Sequence, residues 1–157
     1  MMNGAVTIGT LDGANIEIRE QVGDEHFFLF GLTAAEVEQT RFHYDPNGVI
    51  ANQPDLRAVM ALLESGHFNP QEPGIFDPII HSIRSPHDPW LTAADFGSFC
   101  EAQLEAARAY LDRKRWLRMS ILNTARSGFF SSDRTIAEYN RDIWKLEAIT
   151  PVPADKT

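Results

Sequence analysis

Two stretches of this chain have the character of buried β-strands, and both fall within the first 31 residues. AVTIG at positions 5–9 is a β-branched run stopped by Gly9 and then by the turn dipeptide Asp12-Gly13; FFLFG at 27–31 is a continuous apolar run stopped by Gly31. Apolar runs without polar alternation suit strands covered on both faces, as in a parallel sheet. Parallel neighbours need a crossover connection, and ANIEIREQV at 14–22 is the segment available for it. Ile16-Glu17-Ile18-Arg19 alternates like a strand, but Glu, Arg and Gln favour helix, so a helix is expected there and a right-handed βαβ unit over residues 1–31.

Beyond Leu32 the patterns are helical. Thr33-Ala34-Ala35-Glu36 has the spacing of a capping box and predicts a helix to about Thr40. Residues 42–53, with Asp45-Pro46-Asn47-Gly48, read as a turn-rich loop. Pro54 then fits the first position of a helix over 55–65, with Leu56, Val59, Met60, Leu62 and Leu63 as one apolar stripe and Gly66 as its stop. Ile75, Phe76, Ile79, Ile80 and Ile83 recur at helical spacing, with Pro78 tolerable only in the first turn. Thr92-Ala93-Ala94-Asp95 opens the longest helical pattern; a break is expected near Asp112 and an end at Gly128. Ser131 or Ser132 caps a last helix from Asp133 to about Trp144, and the tail 149–157 is expected to be extended.

Charge and cysteine usage exclude several classes of function. At 157 residues the chain is long enough to bury about 70% of its unfolded surface in one domain or part of a larger one. A net charge of −8 argues against a nucleic-acid partner, which needs clustered cations to displace counterions. The one basic cluster, Arg113-Lys114-Arg115, reads as a solvated helix face. No stretch has the roughly 18 apolar residues of a membrane helix, and the single cysteine, Cys100, allows no internal disulfide. A reducing, cytoplasmic setting is therefore expected. Cys100 lies among Phe96, Phe99 and Leu104 at helical spacing and reads as a buried small apolar residue rather than a nucleophile.

No catalytic constellation emerges from the residues. Asp95-Phe96-Gly97 spells a kinase magnesium motif, but the glycine-rich loop, strand lysine and catalytic loop of that chemistry are missing. Gly9-Thr10-Leu11-Asp12-Gly13 lacks the spacing of a dinucleotide loop and reads as a tight βα turn. His26, His43, His67, His81 and His87 match no zinc pattern; Asp88 could join His81 and His87, but an exposed loop is the simpler reading. The pairs Asp24-Glu25 and Asp12 with Glu17 have no apolar pocket to split their pKa values, and helix capping accounts for Ser131, Ser132 and Asp133.

MNGAVTIGTLDGANIEIREQVGDEHFFLFG (2–31) resembles the segment that follows the cofactor lysine in glycogen and α-glucan phosphorylases, and SGFFSSDRTIAEYNRDIW (127–144) resembles that family's final helix. The resemblance implies an α/β fold: the carboxyl-terminal end of a Rossmann-like domain of the GT-B glycosyltransferase type, mostly helical in this segment. It divides the chain into a last βαβ unit at 1–31, a helical part of the same domain at 32–128, and a final helix and tail at 129–157 returning toward an amino-terminal domain. Ile136, Tyr139, Ile143 and Trp144 are candidates for that return contact, or else they pack on this chain's own helices.

In that family the lysine that binds pyridoxal phosphate belongs to a signature ending Met-Lys-x-x-(Leu or Met)-Asn. Met1 fills the second x, and Met2 and Asn3 complete it, so the lysine is expected two positions ahead of Met1. The resemblance carries no catalytic, cofactor or metal residue onto this chain. It implies a parent enzyme, a homodimer acting on α-1,4-glucan and phosphate to give glucose 1-phosphate, with this segment inactive alone. The alternative is a non-catalytic interaction or glucan-associated module reusing the fold. Two strands leave unpaired edges, so the isolated chain is expected to be marginal or self-associating.

Overall fold

The computed structural model describes residues 1–147. Its sheet has two parallel strands, β1 (Ile8–Gly9) and β2 (Phe28–Leu29), in the register Ile8 opposite Phe28 and Gly9 opposite Leu29. They are shorter than the apolar runs that flank them. Helix α1 (Ala14–Val22) makes the crossover, with the bounds its helix formers imply, and Gly13 enters it at a positive φ of 52°. A 3-10 turn at Asp24–His26 leads from it toward β2, and Arg19 pairs with Asp24 at 2.7 Å across this connection. The expected tail at 149–157 lies outside the described residues.

Helix α2 (Ala34–Arg41) starts at the capping box expected from its sequence. The Thr33 hydroxyl accepts from the Glu36 N–H at 3.3 Å, and the Glu36 carboxylate accepts from the Thr33 N–H at 2.8 Å. The Thr33 N–H and, at 2.7 Å, the Thr33 hydroxyl both donate to that carboxylate and hold it below its ordinary pKa.

The turn-rich reading of 42–53 is overturned. Residues Pro46–Asn52 form helix α3, because Asp45 accepts the Gly48 N–H at 3.0 Å as an N-cap and Pro46 occupies the first helical turn. Helix α4 (Pro54–Glu64) follows almost without a gap, and Gly66 ends that region at φ 69°. Its apolar stripe is narrower than its sequence suggests: Leu56 and Met60 are buried, whereas Val59 and Leu62 face outward. Helix α5 (Asp77–Arg84) carries Pro78 in its first turn. Arg84 ties α5 to its neighbours, donating to Glu64 and to Asn47, each at 2.7 Å.

Helix α6 (Thr92–Leu111) spans two cores. At its start Ala93 packs with Tyr44, Ile50, Leu56, Met60 and Leu91; further along, Ala102 and Ala109 pack with Phe28 of β2 and Met119 of α7 (Arg113–Arg126). Alanine at these contact points lets the helix approach its neighbours closely. Asp112 breaks the helical run where expected and caps α7 by accepting the Arg115 N–H at 3.0 Å. Arg113, Lys114 and Arg115 are exposed, as a solvated face requires. Cys100 is only half-buried, and Phe99 and Leu104 beside it are exposed, so this face of α6 is not the interior expected for it.

Helix α8 (Ser132–Tyr139) is capped by Ser131 and runs into a π-helical turn at Asn140–Trp144, so the expected single helix to Trp144 changes its winding after Tyr139. Arg134 fastens α8 to the preceding 3-10 turn, Ser127–Phe130, by bonding the Phe129 carbonyl and lying 3.9 Å over the Phe129 ring.

Candidate functional site

A cavity of 710 Å³ opens beyond the carboxyl ends of β1 and β2. Its walls come from the turn after β1 (Thr10, Leu11, Asp12), the segment after β2 (Phe30, Leu32), helix α2 and the start of α6. The volume lies within the usual range for small-molecule sites, and in open α/β sheets such sites gather at the carboxyl ends of strands. Phe30 and Phe99 meet edge to face in its wall, with ring centroids 5.2 Å apart.

Asp95 is the organising polar residue. One carboxylate oxygen accepts the Leu32 N–H at 2.9 Å, and the neighbouring Gly31 N–H donates to Ser98 Oγ at 2.9 Å. Both backbone donors that follow β2 are thus held by one turn of α6. Gly31 sits at φ 80°, and a Cβ there would stand 2.8 Å from the Thr10 methyl and 2.9 Å from the second Asp95 oxygen, so only glycine fits. Burial pushes the Asp95 carboxyl above its ordinary pKa, and the Leu32 N–H opposes that shift. The kinase-like triplet is therefore a helical segment whose aspartate fixes a strand exit.

Asp88 contradicts its reading as part of an exposed loop. It is 2% exposed, and its two oxygens accept the Trp90 N–H at 2.9 Å and the Thr92 N–H at 2.8 Å. It caps α6 from four residues upstream, with the Tyr44 hydroxyl accepting the Ala93 N–H at 3.2 Å. Burial raises the pKa of that phenol. His87 is exposed, and His81 Nδ1 lies 2.7 Å from the Asp77 carbonyl in its own helix. No group of metal-binding side chains forms among the described residues.

At the amino terminus, α7 holds the segment that precedes β1. Asn123, buried, donates to the Ala5 carbonyl, and Thr124 Oγ1 donates to the Met1 carbonyl at 3.4 Å. Gly4, at φ 75°, lies so close to Ser120 that a Cβ would fall 2.5 Å from its hydroxyl oxygen. Met2 itself is exposed.

A parallel βαβ unit, a long helix across it and a cavity at the strand ends define a mostly helical α/β chain. The sequence specifies it further: the model of the carbohydrate phosphorylases matches residues 1–146, and the chain belongs to that family. It is 53% identical over 149 residues to a glycogen phosphorylase of Synechocystis, covering 94% of this chain and 17% of that protein. It is 46% identical over 157 residues to the cytosolic α-glucan phosphorylase 2 of Arabidopsis thaliana, covering 97% of this chain and 18% of that protein. The muscle form of glycogen phosphorylase from Rattus norvegicus is 40% identical over 164 residues, covering 99% of this chain and 19% of that protein. The chain thus spans less than a fifth of the length of these relatives.

The described residues do not fit pyridoxal phosphate. A Schiff base needs a lysine amine, and the described lysines, Lys114 and Lys145, are exposed and line no part of the cavity. No helix among the described residues is long and apolar enough to cross a membrane.

Proposed function

We propose that this chain is the carboxyl-terminal portion of an α-glucan phosphorylase, whose whole enzyme moves a terminal α-1,4-linked glucosyl unit to inorganic phosphate and releases glucose 1-phosphate. The observation that carries this reading is the 53% identity to a glycogen phosphorylase sustained over 94% of the chain. In this reading residues 1–31 complete a Rossmann-like sheet of GT-B type, 32–128 belong to the same domain, and 129–157 return toward an amino-terminal domain. The two-stranded sheet, with an unpaired edge on each strand among the described residues, supports a sheet completed by further strands.

The contribution of this chain is positional. Asn123 and Thr124 of α7 hold the carbonyls of Ala5 and Met1, fixing the stretch that leads into β1. The enzyme is read as cytoplasmic and homodimeric, and the isolated chain as inactive and prone to self-association. The rival reading, a glucan-associated module without catalysis, draws support from the cavity.

A chimera separates the two. Residues 1–147 are exchanged for the matched segment of the Synechocystis enzyme, and glucose 1-phosphate is measured from maltodextrin and phosphate. Phosphorolysis by the chimera is expected. A folded chimera that binds its cofactor yet releases no glucose 1-phosphate would contradict the phosphorylase reading.

A further inference from the structure

The cations of this chain divide by position. Arg19, Arg84, Arg134 and Arg141 each pair with a carboxylate, and Arg41 and Arg57 donate to backbone carbonyls. Arg108, Arg113, Lys114, Arg115 and Arg118 are exposed, and none of their side chains forms an ion pair or a hydrogen bond among the described residues. Between positions 108 and 118 these five cations meet one acid, Asp112, in a chain whose net charge is −8.

Helix physics disfavours this placement. Arg113, Lys114 and Arg115 occupy the first turn of α7, at the positive end of its dipole, and no acid stands in that turn. Lys114 and Arg118 are like charges four residues apart on one helix, which adds repulsion. Among the described residues nothing offsets it.

Beside the cations lies an apolar groove. A cavity of 560 Å³ at the junction of α6 and α7 is lined by Leu104, Tyr110, Leu111 and Trp116, with Arg108 and Gln103 at its polar side. Tyr110 and Trp116 meet edge to face, 5.1 Å between centroids, so two perpendicular rings form a preset notch. Leu111 is 84% exposed and Tyr110 65%. A concave apolar notch ringed by cations fits one protruding apolar side chain flanked by carboxylates. An extended polyanion, such as a bilayer or a nucleic acid, brings its charge against the whole acidic body of the chain. A short segment meets only the cations within roughly 10 Å, the range that salt leaves unscreened.

We propose that the α6–α7 corner docks a short acidic segment of a partner protein. An apolar side chain of the segment seats between Leu104, Leu111 and the Tyr110–Trp116 pair, and its carboxylates meet Arg113, Lys114, Arg115 and Arg118.

Fluorescence anisotropy of a labelled peptide repeating Glu-Glu-Leu-Phe, titrated with the 157-residue chain, tests this docking. Saturable binding is expected, and the combined variant R113E, K114E, R115E is expected to weaken it by about tenfold or more. Leu111→Ser is expected to weaken it by about threefold or more, and Arg126→Glu, at an exposed cation on the other end of α7, to leave it unchanged. Acids suit the first turn of a helix, so the triple variant is expected to melt no lower than the native chain. If it does melt lower, Leu111→Ser, at an exposed site, decides alone. Equal binding by the triple variant or by Leu111→Ser, or equal binding of a peptide repeating Gln-Gln-Leu-Phe, would overturn the proposal. Tighter capture of phosphatidylserine vesicles than of the peptide would assign the corner to a membrane, and dimerisation abolished by the triple variant would assign it to a second copy; either overturns it. Peptide binding is expected to persist in the chimera with the Synechocystis enzyme. Loss of binding there would mean that the rest of that enzyme covers the corner, and overturns the proposal as well.

Discussion

Helix α6 and the α8 segment are both amphipathic, yet they end in opposite circumstances. Along α6, Ala93, Ala102 and Ala109 are buried in two cores. Along α8 and its π turn no residue is buried, and Ile136, Tyr139, Ile143 and Trp144 all stay exposed. Tyr139 and Trp144 touch edge to face, 5.7 Å between centroids, and form part of an open apolar surface. Among the described residues nothing covers this face, as the proposed return toward an amino-terminal domain would require. The difference teaches that helical periodicity reports that a face will be covered, without reporting by what.

Substitutions sharpen that contrast. Met60→Ala and Met119→Ala each empty a fully buried site, one in each core, and are expected to cost about 2–5 kcal/mol in urea unfolding. An effect below about 1 kcal/mol, the size of an Ile→Val change, would mean that the cores are loosely packed. Gly31→Ala meets both a positive φ and the close approach of Thr10 and Asp95, with an expected loss of about 1–3 kcal/mol read from the same curves. Thr33→Ala removes the hydroxyl half of the capping box and is expected to cost about 1 kcal/mol, mostly as fraying of α2 seen by amide exchange.

The legible parts of this molecule were those where one short segment decides the outcome. Thr33 and Glu36 lie three apart and satisfy each other, and the helix formers of 14–22 settle α1 locally. Helix α3 was hidden because Asp45-Pro46 is the chemistry of both a turn and a helix start, and the packing of Ile50 against Leu56 and Met60 makes the choice. Asp88 was misread because its carboxylate reaches N–H groups two and four residues away, a geometry no spacing rule for the loop contains. The cavity was out of reach altogether: its walls come from segments near positions 10, 30, 40 and 90, which only the packing of α6 on the sheet brings together.

A smaller effect separates the regions by pH. Burial raises the Asp95 carboxyl in the folded chain, so its favourable contribution is complete below the ordinary carboxylate range and lost as pH rises through the raised value. Asp95→Asn, which keeps an acceptor for the Leu32 N–H, is expected to melt higher than the native chain at neutral pH and to lose that advantage in acid. A constant difference across that range would assign Asp95 no burial penalty. Glu36 runs the other way: its depressed carboxyl contributes above the ordinary range, and that contribution fades as pH falls. The smallest change of all is expected for Trp144→Ala, within about 0.5 kcal/mol in the isolated chain, since its side chain leaves no cavity.

Native-state hydrogen exchange on the isolated chain and on the chimera compares α6 and α8 most directly. In the isolated chain the α6 and α7 amides are expected to exchange only by global unfolding, and those of α8 and its π turn through local opening. In the chimera α8 is expected to become as slow as α6, because its apolar face is then covered. Amides of α8 that already match α6 in the isolated chain, or that gain no protection in the chimera, would contradict the assignment of this face to a contact with the rest of the enzyme.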